Sequence, residues 1–330
     1  MINLSLTLWM NVKVCVGTNM KILQGSCIDK VQELEDNSID CVVSSPPYFG
    51  LRDYGVEGQF GLEPTYQEYL ANTVKLFAVM RPKLKDTATI WWNVGDSYNQ
   101  KQSAGDRVSK YSKKQKTSQG NLGMAVESQP GLKIKDLLMI PNRVAIALQD
   151  DGWYIRSEIV WHKPNPMPES VKDRPTSAHE KIWLITKNKK YYYDADAIKE
   201  PLAESSIPRL QQNIEKQIGT TRANGMKRSN GNFKAVGDIK NGRNKRNVWT
   251  VTTKPFRGAH FATFPKDLIE PCILAGCPEG GVVLDPFGGS GTTGLVAKAN
   301  NRQAVLIELN PEYIKLAEDR LEQELGGLLL

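Results

Sequence analysis

Short apolar runs alternate with amphipathic stretches along most of this chain. Seven runs, Lys21–Gln24, Asp40–Ser44, Ala88–Asn93, Tyr154–Trp161, Lys181–Thr186, Val282–Asp285 and Ala304–Glu308, are brief and rich in β-branched and aromatic residues, a pattern that predicts strands. Between them, Tyr66–Met80 places Leu70, Val74, Phe77 and Ala78 on one helical face. Leu137–Asp150 and Pro311–Leu325 repeat the helical period, the latter through Tyr313, Leu316, Ala317 and Leu321. Strands that alternate with helices predict an α/β domain built on a largely parallel sheet.

Two stretches interrupt this rhythm. Residues 101–120 carry six basic side chains (Lys101, Arg107, Lys110, Lys113, Lys114, Lys116) against one acidic, Asp106. Residues 209–247 carry ten basic side chains against Glu215 and Asp238, amid many Asn and Gly. Both compositions predict cationic loops rather than packed elements. Before the first strand, residues 1–19 hold a short apolar stretch, Leu4–Met10, with neither a basic lead-in nor a small-residue cleavage pattern, and read as a dispensable extension rather than a secretory signal. The expected division is thus 1–19, then 20–200 with a basic loop at 101–130, an insert at 201–250, and 251–330.

Composition narrows the partners. At 330 residues with 40% hydrophobic content the chain can bury one large core, and a net charge of +7 suits an anionic partner such as nucleic acid. Five scattered cysteines (Cys15, Cys27, Cys41, Cys272, Cys277) suggest no disulfide framework, so a reducing cytoplasm is the expected setting. With three histidines and no Cys/His cluster, no metal is expected. No apolar run approaches the ~18 residues of a membrane span, so no membrane partner is expected either.

Two segments carry candidate chemistry. Ser45-Pro46-Pro47-Tyr48 follows the run 40–44; its prolines fix φ and remove two donors, giving a stiff bend that directs acceptors and an aromatic ring away from a strand end. Such a bend suits a planar amino group, with the Ser45 hydroxyl and the Pro46 carbonyl as acceptors and Tyr48 covering the ring. The second segment, Asp285-Pro286-Phe287-Gly288-Gly289-Ser290-Gly291-Thr292, reads as a strand end, a glycine turn and a helix start. Its glycines permit close backbone approach to a ligand. No Gly-Lys-Ser/Thr follows, which excludes a triphosphate-cradling loop. Glu308 closes the next strand, where such folds hold a ribose hydroxyl pair.

Together, and in this order, the two segments resemble the amino-methyltransferases of DNA, in their permuted β class. The resemblance extends through Asn93-Val94-Gly95-Asp96-Ser97-Tyr98, Trp161–Ser170, Asp173-Arg174-Pro175-Thr176, His179-Glu180 and His260–Pro265, from about residue 21 to about residue 321. It implies a circularly permuted, Rossmann-like methyltransferase fold with a largely parallel seven-stranded sheet containing one antiparallel strand, and S-adenosyl-L-methionine as cofactor. It further implies that Val282–Asp285 lies beside Asp40–Ser44, bringing the two segments together at the sheet's switch point.

The resemblance assigns the cofactor to Asp285, Phe287, Gly288, Gly289, Ser290, Gly291, Thr292, Glu308 and one wall at Thr263 to Pro265, with Asn310 as a helper or merely a helix cap. Double-stranded DNA is the implied partner, its target base extruded from the duplex and covered by Tyr48. Phosphate contacts are then expected from Lys113 and Lys114 and, in the insert, from Arg222, Lys227, Arg228, Arg243, Lys245 and Arg246. A companion restriction endonuclease is a further partner the family admits. Ser at position 45, rather than Asp or Asn, resembles the cytosine-N4 enzymes, with adenine-N6 as the alternative. One departure stands out: the family often places Asp after the glycine of the first strand, where this chain has Gly25-Ser26-Cys27, and Asp29 is the nearest substitute.

Other readings compete. A catalytically silent DNA-binding accessory would not require an intact Ser45–Tyr48 bend, and a nicotinamide oxidoreductase would explain the glycine turn alone. Pro271-Cys272 matches the nucleophile dipeptide of cytosine-C5 methyltransferases, but it sits in an apolar segment, and Cys272 reads as packing. Trp249 and Phe256 are open between stacking on bases and packing.

Overall fold

The structure, a computed structural model, describes residues 12–14, 20–99, 129–202, 205, 242–253 and 264–326. Lys113, Lys114, Arg222, Lys227, Arg228, Phe256 and Thr263 therefore lie outside the described residues. The chain divides into two units, Met1–Tyr193 with Asn247–Leu330, and Asp194–Arg246.

Nine strands of the larger unit form one sheet: β1 (Val12–Val14), β2 (Met20–Gln24), β3 (Ile39–Ser44), β4 (Leu84–Val94), β5 (Tyr154–His162), β6 (His179–Thr186), β7 (Val248–Thr250), β8 (Val282–Asp285) and β9 (Gln303–Glu308). Their order is β1-β2-β9-β8-β3-β4-β6-β5-β7. The seven strands expected from the sequence are all present, and among them only β6 runs antiparallel to its neighbours. The two additions are edge strands. β1 pairs antiparallel with β2, so part of the expected extension lengthens the sheet, and β7 pairs parallel with β5.

Among the described residues six helices flank the sheet: α1 (Cys27–Gln32), α2 (Tyr66–Met80), α3 (Ile140–Asp150), α4 (Lys266–Gly276), α5 (Thr292–Ala299) and α6 (Pro311–Gly326). Consecutive side chains of a strand point to opposite faces. Trp92 accordingly meets Phe77 of α2 at 5.0 Å between ring centroids, whereas Trp91 reaches the other layer, where a methyl group at Gly276 of α4 would lie 2.3 Å from its Nε1. β3 and most of β4 are buried on both faces, which is why they read as continuous apolar runs.

Two expectations are corrected, and the open choice for Trp249 falls to packing. The buried stripe of α2 is Tyr69, Thr73, Leu76, Phe77 and Met80, while Ala78 is exposed; an aromatic pocket around Phe77, Trp92 and Trp153 sets the rotation of the helix. α3 starts at Ile140 rather than Leu137, because Met139 adopts a left-handed conformation (φ 58°) and Asp96 accepts the first helical N–H, from Ile140, at 3.1 Å. Trp249 is buried, packed 6.2 Å from Trp91, and is not displayed for a base.

In the smaller unit, Glu200 and Arg243 form an antiparallel backbone bridge. The Glu200 carboxylate also collects Arg243 Nε at 3.4 Å, Arg246 Nε at 3.2 Å and Lys245 Nζ at 4.0 Å. Among the described residues no helix is long and apolar enough to cross a membrane.

Candidate active site

β3 and β8 lie side by side, with Cys41 opposite Val283 and Val42 opposite Leu284. The Ser-Pro-Pro-Tyr bend and the glycine turn therefore leave the same edge of the sheet from adjacent strands. A hydrogen bond joins them: Ser44 Oγ donates to Asp285 Oδ1 at 2.6 Å across 241 residues of sequence. Thr293 Oγ1 donates to Asp285 Oδ2 at 2.6 Å and the Phe287 N–H to Oδ1 at 3.0 Å. Asp285 is 2% exposed. Burial, the largest influence, raises its pKa above the usual carboxylate value, and the three donors oppose the shift.

Glu308 shapes the turn from the next strand. Its Oε2 accepts the Gly289 N–H and its Oε1 the Asn310 N–H, both at 2.8 Å, while burial raises its pKa. On the opposite side, Arg320 of α6 donates to the Ser290 carbonyl at 3.2 Å and to Thr292 Oγ1 at 2.8 Å. Gly291, with φ 77°, begins α5 and packs on α6; a methyl group there would lie 3.1 Å from the Ala317 Cβ.

One cavity opens between these turns. Of the residues singled out in the sequence, Ser45, Pro47, Asp285, Phe287, Gly288, Gly289, Ser290, Thr292, Glu308 and Asn310 line it. Pro46, Tyr48, Gly291 and Pro265 do not, although Phe264, beside Pro265, supplies a wall. Asp29 is exposed and lines nothing, so it does not replace the carboxylate that Gly25-Ser26-Cys27 lacks. That role has another candidate. Glu63, from the loop before α2, lines the cavity and is held by the Gly61 N–H at 2.9 Å and Asn72 Nδ2 at 3.0 Å. Sequence reasoning missed Glu63, Tyr54, Phe60 and Tyr313 because they sit in a loop, or on a helix stripe, with no motif around them.

Tyr48 turns away from the cavity. Its ring edge lies against Gly95, where a methyl group would be 2.5 Å from Cε2. Its hydroxyl donates to Glu180 Oε2 at 2.6 Å and lies 3.0 Å from Asn93 Oδ1, and Ser45 Oγ donates to it at 3.2 Å. Lys163 pairs with the other oxygen of Glu180. The Pro47 carbonyl accepts from the Tyr69 hydroxyl at 3.2 Å, which anchors the bend to α2.

The chemistry of the lining selects among ligands. Every charged side chain in it is a carboxylate, Glu63, Asp285 and Glu308, and no Lys, Arg or His of the described residues faces the cavity. Three anions suit a ligand with positive charge and hydroxyl donors and oppose a dinucleotide pyrophosphate. S-adenosyl-L-methionine, with its sulfonium, ammonium and ribose hydroxyls, fits this lining, and it supplies a methyl group already activated for displacement. Asp285, Glu308 and the 286–290 turn would hold it, between aromatic walls formed by Phe287 on Phe60 (5.4 Å) and Tyr54 on Tyr313 (6.2 Å).

Comparison with known proteins agrees with this geometry. Residues 39–319 match the N6/N4 DNA methylase family model. The chain is 45% identical to the Type II methyltransferase M.XycI of Xanthomonas campestris pv. cyanopsidis, over 93% of this chain and 89% of the relative. It is 43% identical to M.SmaI of Serratia marcescens, over 96% and 97%. Among solved structures, the PvuII DNA methyltransferase (cytosine-N4-specific) superposes with a TM-score of 0.59 at 19% identity, covering 92% of this chain and 86% of that one. A DNA modification methylase structure from Thermus thermophilus, complexed with S-adenosyl-L-methionine, gives 0.55 at 19% identity, covering 93% and 96%. The chain is thus a Type II DNA methyltransferase, an S-adenosyl-L-methionine-dependent member of the N6/N4 amino-methyltransferase family.

Proposed function

We propose that this enzyme methylates the exocyclic N4 amino group of cytosine in duplex DNA, after the base leaves the helix, as the modification partner of a restriction endonuclease. The observation that carries the reading is Ser45, which lines the cavity beside the Asp285 and Glu308 turns. An exocyclic amino nitrogen is a poor nucleophile because its lone pair is delocalised into the ring. Acceptors at Ser45 Oγ and the Pro46 carbonyl draw its hydrogens toward tetrahedral geometry and localise that pair. Positioning supplies much of the remaining barrier reduction, since well-oriented groups gain on the order of 7–11 kcal/mol. Extruding the base costs a few kcal/mol, offset by the pocket and by backbone contacts. In this reading Tyr48 borders the extruded base. The insert at 201–250 selects the site, with Lys113, Lys114, Arg222, Lys227, Arg228, Arg243, Lys245 and Arg246 on phosphates.

The test is mass analysis of nucleosides from duplex DNA treated with the protein and S-adenosyl-L-methionine. N4-methylcytosine is expected. N6-methyladenine would transfer the same machinery to the alternative base, and absence of any methylated nucleoside would return the chain to a DNA-binding accessory.

A further inference from the structure

A reaction at an amino group must dispose of a proton, and the bend holds a route for one. As the amino lone pair forms the new N–C bond, the C–S electron pair leaves with sulfur, and the nitrogen keeps both hydrogens and a positive charge. One proton has to depart before product forms. Ser45 lines the cavity and its Oγ donates to the Tyr48 hydroxyl at 3.2 Å, and Tyr48 donates to Glu180 Oε2 at 2.6 Å. Asn93 Oδ1 is a second acceptor for the Tyr48 hydroxyl at 3.0 Å, and the carboxylate is the nearer of the two.

That carboxylate is set up to be the end of the line. The Glu180 and Lys163 side chains are 16% and 18% exposed, and Lys163 pairs with Oε1 while leaving Oε2 to the tyrosine. Asn93 Nδ2 donates to Oε2 at 3.2 Å and to the Lys181 carbonyl at 3.1 Å, which fixes the amide. Lys163 is itself held 4.4 Å above the Trp161 ring. Four chain segments converge here: the bend, the end of β4, the start of β6 and the exit of β5. The methyl-donor cavity accounts for none of these contacts, since Tyr48, Asn93, Lys163 and Glu180 all lie outside its lining.

We propose that Glu180 accepts the proton released by the methylated amino group, relayed through the hydroxyls of Ser45 and Tyr48. This rests on the amino-transfer reading above and holds for either base. The amino N–H bond breaks, its electron pair staying on nitrogen, and the proton passes to Ser45 Oγ. The Ser45 proton moves to the Tyr48 oxygen and the Tyr48 proton to Glu180 Oε2. Both hydroxyls end as they began, and Glu180 ends neutral until it loses the proton to water.

The test compares single-turnover methylation by the full chain and its Glu180→Gln, Tyr48→Phe and double variants. Glutamine keeps the size and one acceptor oxygen but takes up no proton; phenylalanine breaks the chain and leaves the Glu180–Lys163 pair in place, so folding of one variant does not decide the outcome. Each single change is expected to slow transfer about 100-fold, the range of a lost general base. The double variant should be no slower than the worse single, because both cut one chain. Calorimetric affinity for S-adenosyl-L-methionine and 2-aminopurine fluorescence of the extruded base should match wild type, and Glu180→Asp should recover part of the rate. Wild-type rates in Glu180→Gln or Tyr48→Phe, multiplicative losses in the double variant, or losses that follow base extrusion would overturn the relay alone. Absence of methyl transfer by the wild-type protein would overturn the amino-transfer reading as well.

Discussion

Two adjacent serines do different work at the end of β3. Ser44 is 1% exposed and spends its hydroxyl on Asp285, whereas Ser45 faces the cavity. Ser45→Ala is expected to slow methyl transfer at least tenfold with cofactor affinity unchanged, because it removes an acceptor used only as the amino group reacts. Equal loss of both in kinetics and calorimetry would count against that role. Ser44→Ala should instead weaken the fold by about 1–3 kcal/mol, the range for depriving a buried polar group of its partner. Asp285 adds a pH signature. Its folded pKa is raised above the ordinary 3.8, so the folded state binds more protons and stability falls as pH climbs from near 3.8 through the folded value. Asp285→Asn has no such titration. The stability difference between variant and wild type, read by denaturant titration, should shift in favour of the variant across that interval; a pH-independent difference would show that the carboxylate carries no raised pKa. The serine and the bend were legible in sequence because prolines announce local geometry. Glu63 and Glu180 were not assignable, since a lone acidic residue in a loop or strand carries no sign of what it will face.

At the scale of elements, apolar runs gave the strands because a strand buried on both faces has no polar face to confuse the pattern. Helix α2 shows the limit: its position was readable, yet its rotation was set by the Phe77, Trp92 and Trp153 rings, and Trp92 belongs to β4 and Trp153 to the turn between α3 and β5. Strand β1 was not anticipated, since three residues carry too little periodicity. Helix α6 supplies another tie invisible to sequence. Arg320 binds Ser290 and Thr292 of the glycine turn and is oriented by Glu324, which also pairs with Lys266 of α4. Arg320→Ala is expected to weaken S-adenosyl-L-methionine binding about tenfold, the equivalent of one charge-assisted hydrogen bond lost from the turn. An unchanged dissociation constant would make the arginine a support for α6 alone.

For the whole molecule, cofactor chemistry and base chemistry meet because β3 and β8 are neighbours, and DNA must then reach that edge of the sheet. A chain of net charge +7 favours this electrostatically, and Arg243, Lys245 and Arg246 gather three cations within 4.0 Å of the Glu200 carboxylate. Replacing Arg243 and Arg246 by Ala should flatten the dependence of log affinity on log salt by up to about 1.8, at ~0.9 per phosphate contact. An unaltered slope would count against the phosphate contacts proposed for this cluster.

The sequence by itself determined seven of the nine strands, the two chemical turns and the order in which they occur, because those depend on local burial, proline and glycine geometry. It also carried the family, through motifs whose residue types follow from the reaction. Only the tertiary structure decided that Glu63 joins Asp285 and Glu308 at the cavity, that Tyr48 turns its hydroxyl toward Glu180, and that Ser44 clasps Asp285. Those outcomes depend on side chains brought together by sheet order, and no local pattern encodes a contact 241 residues away.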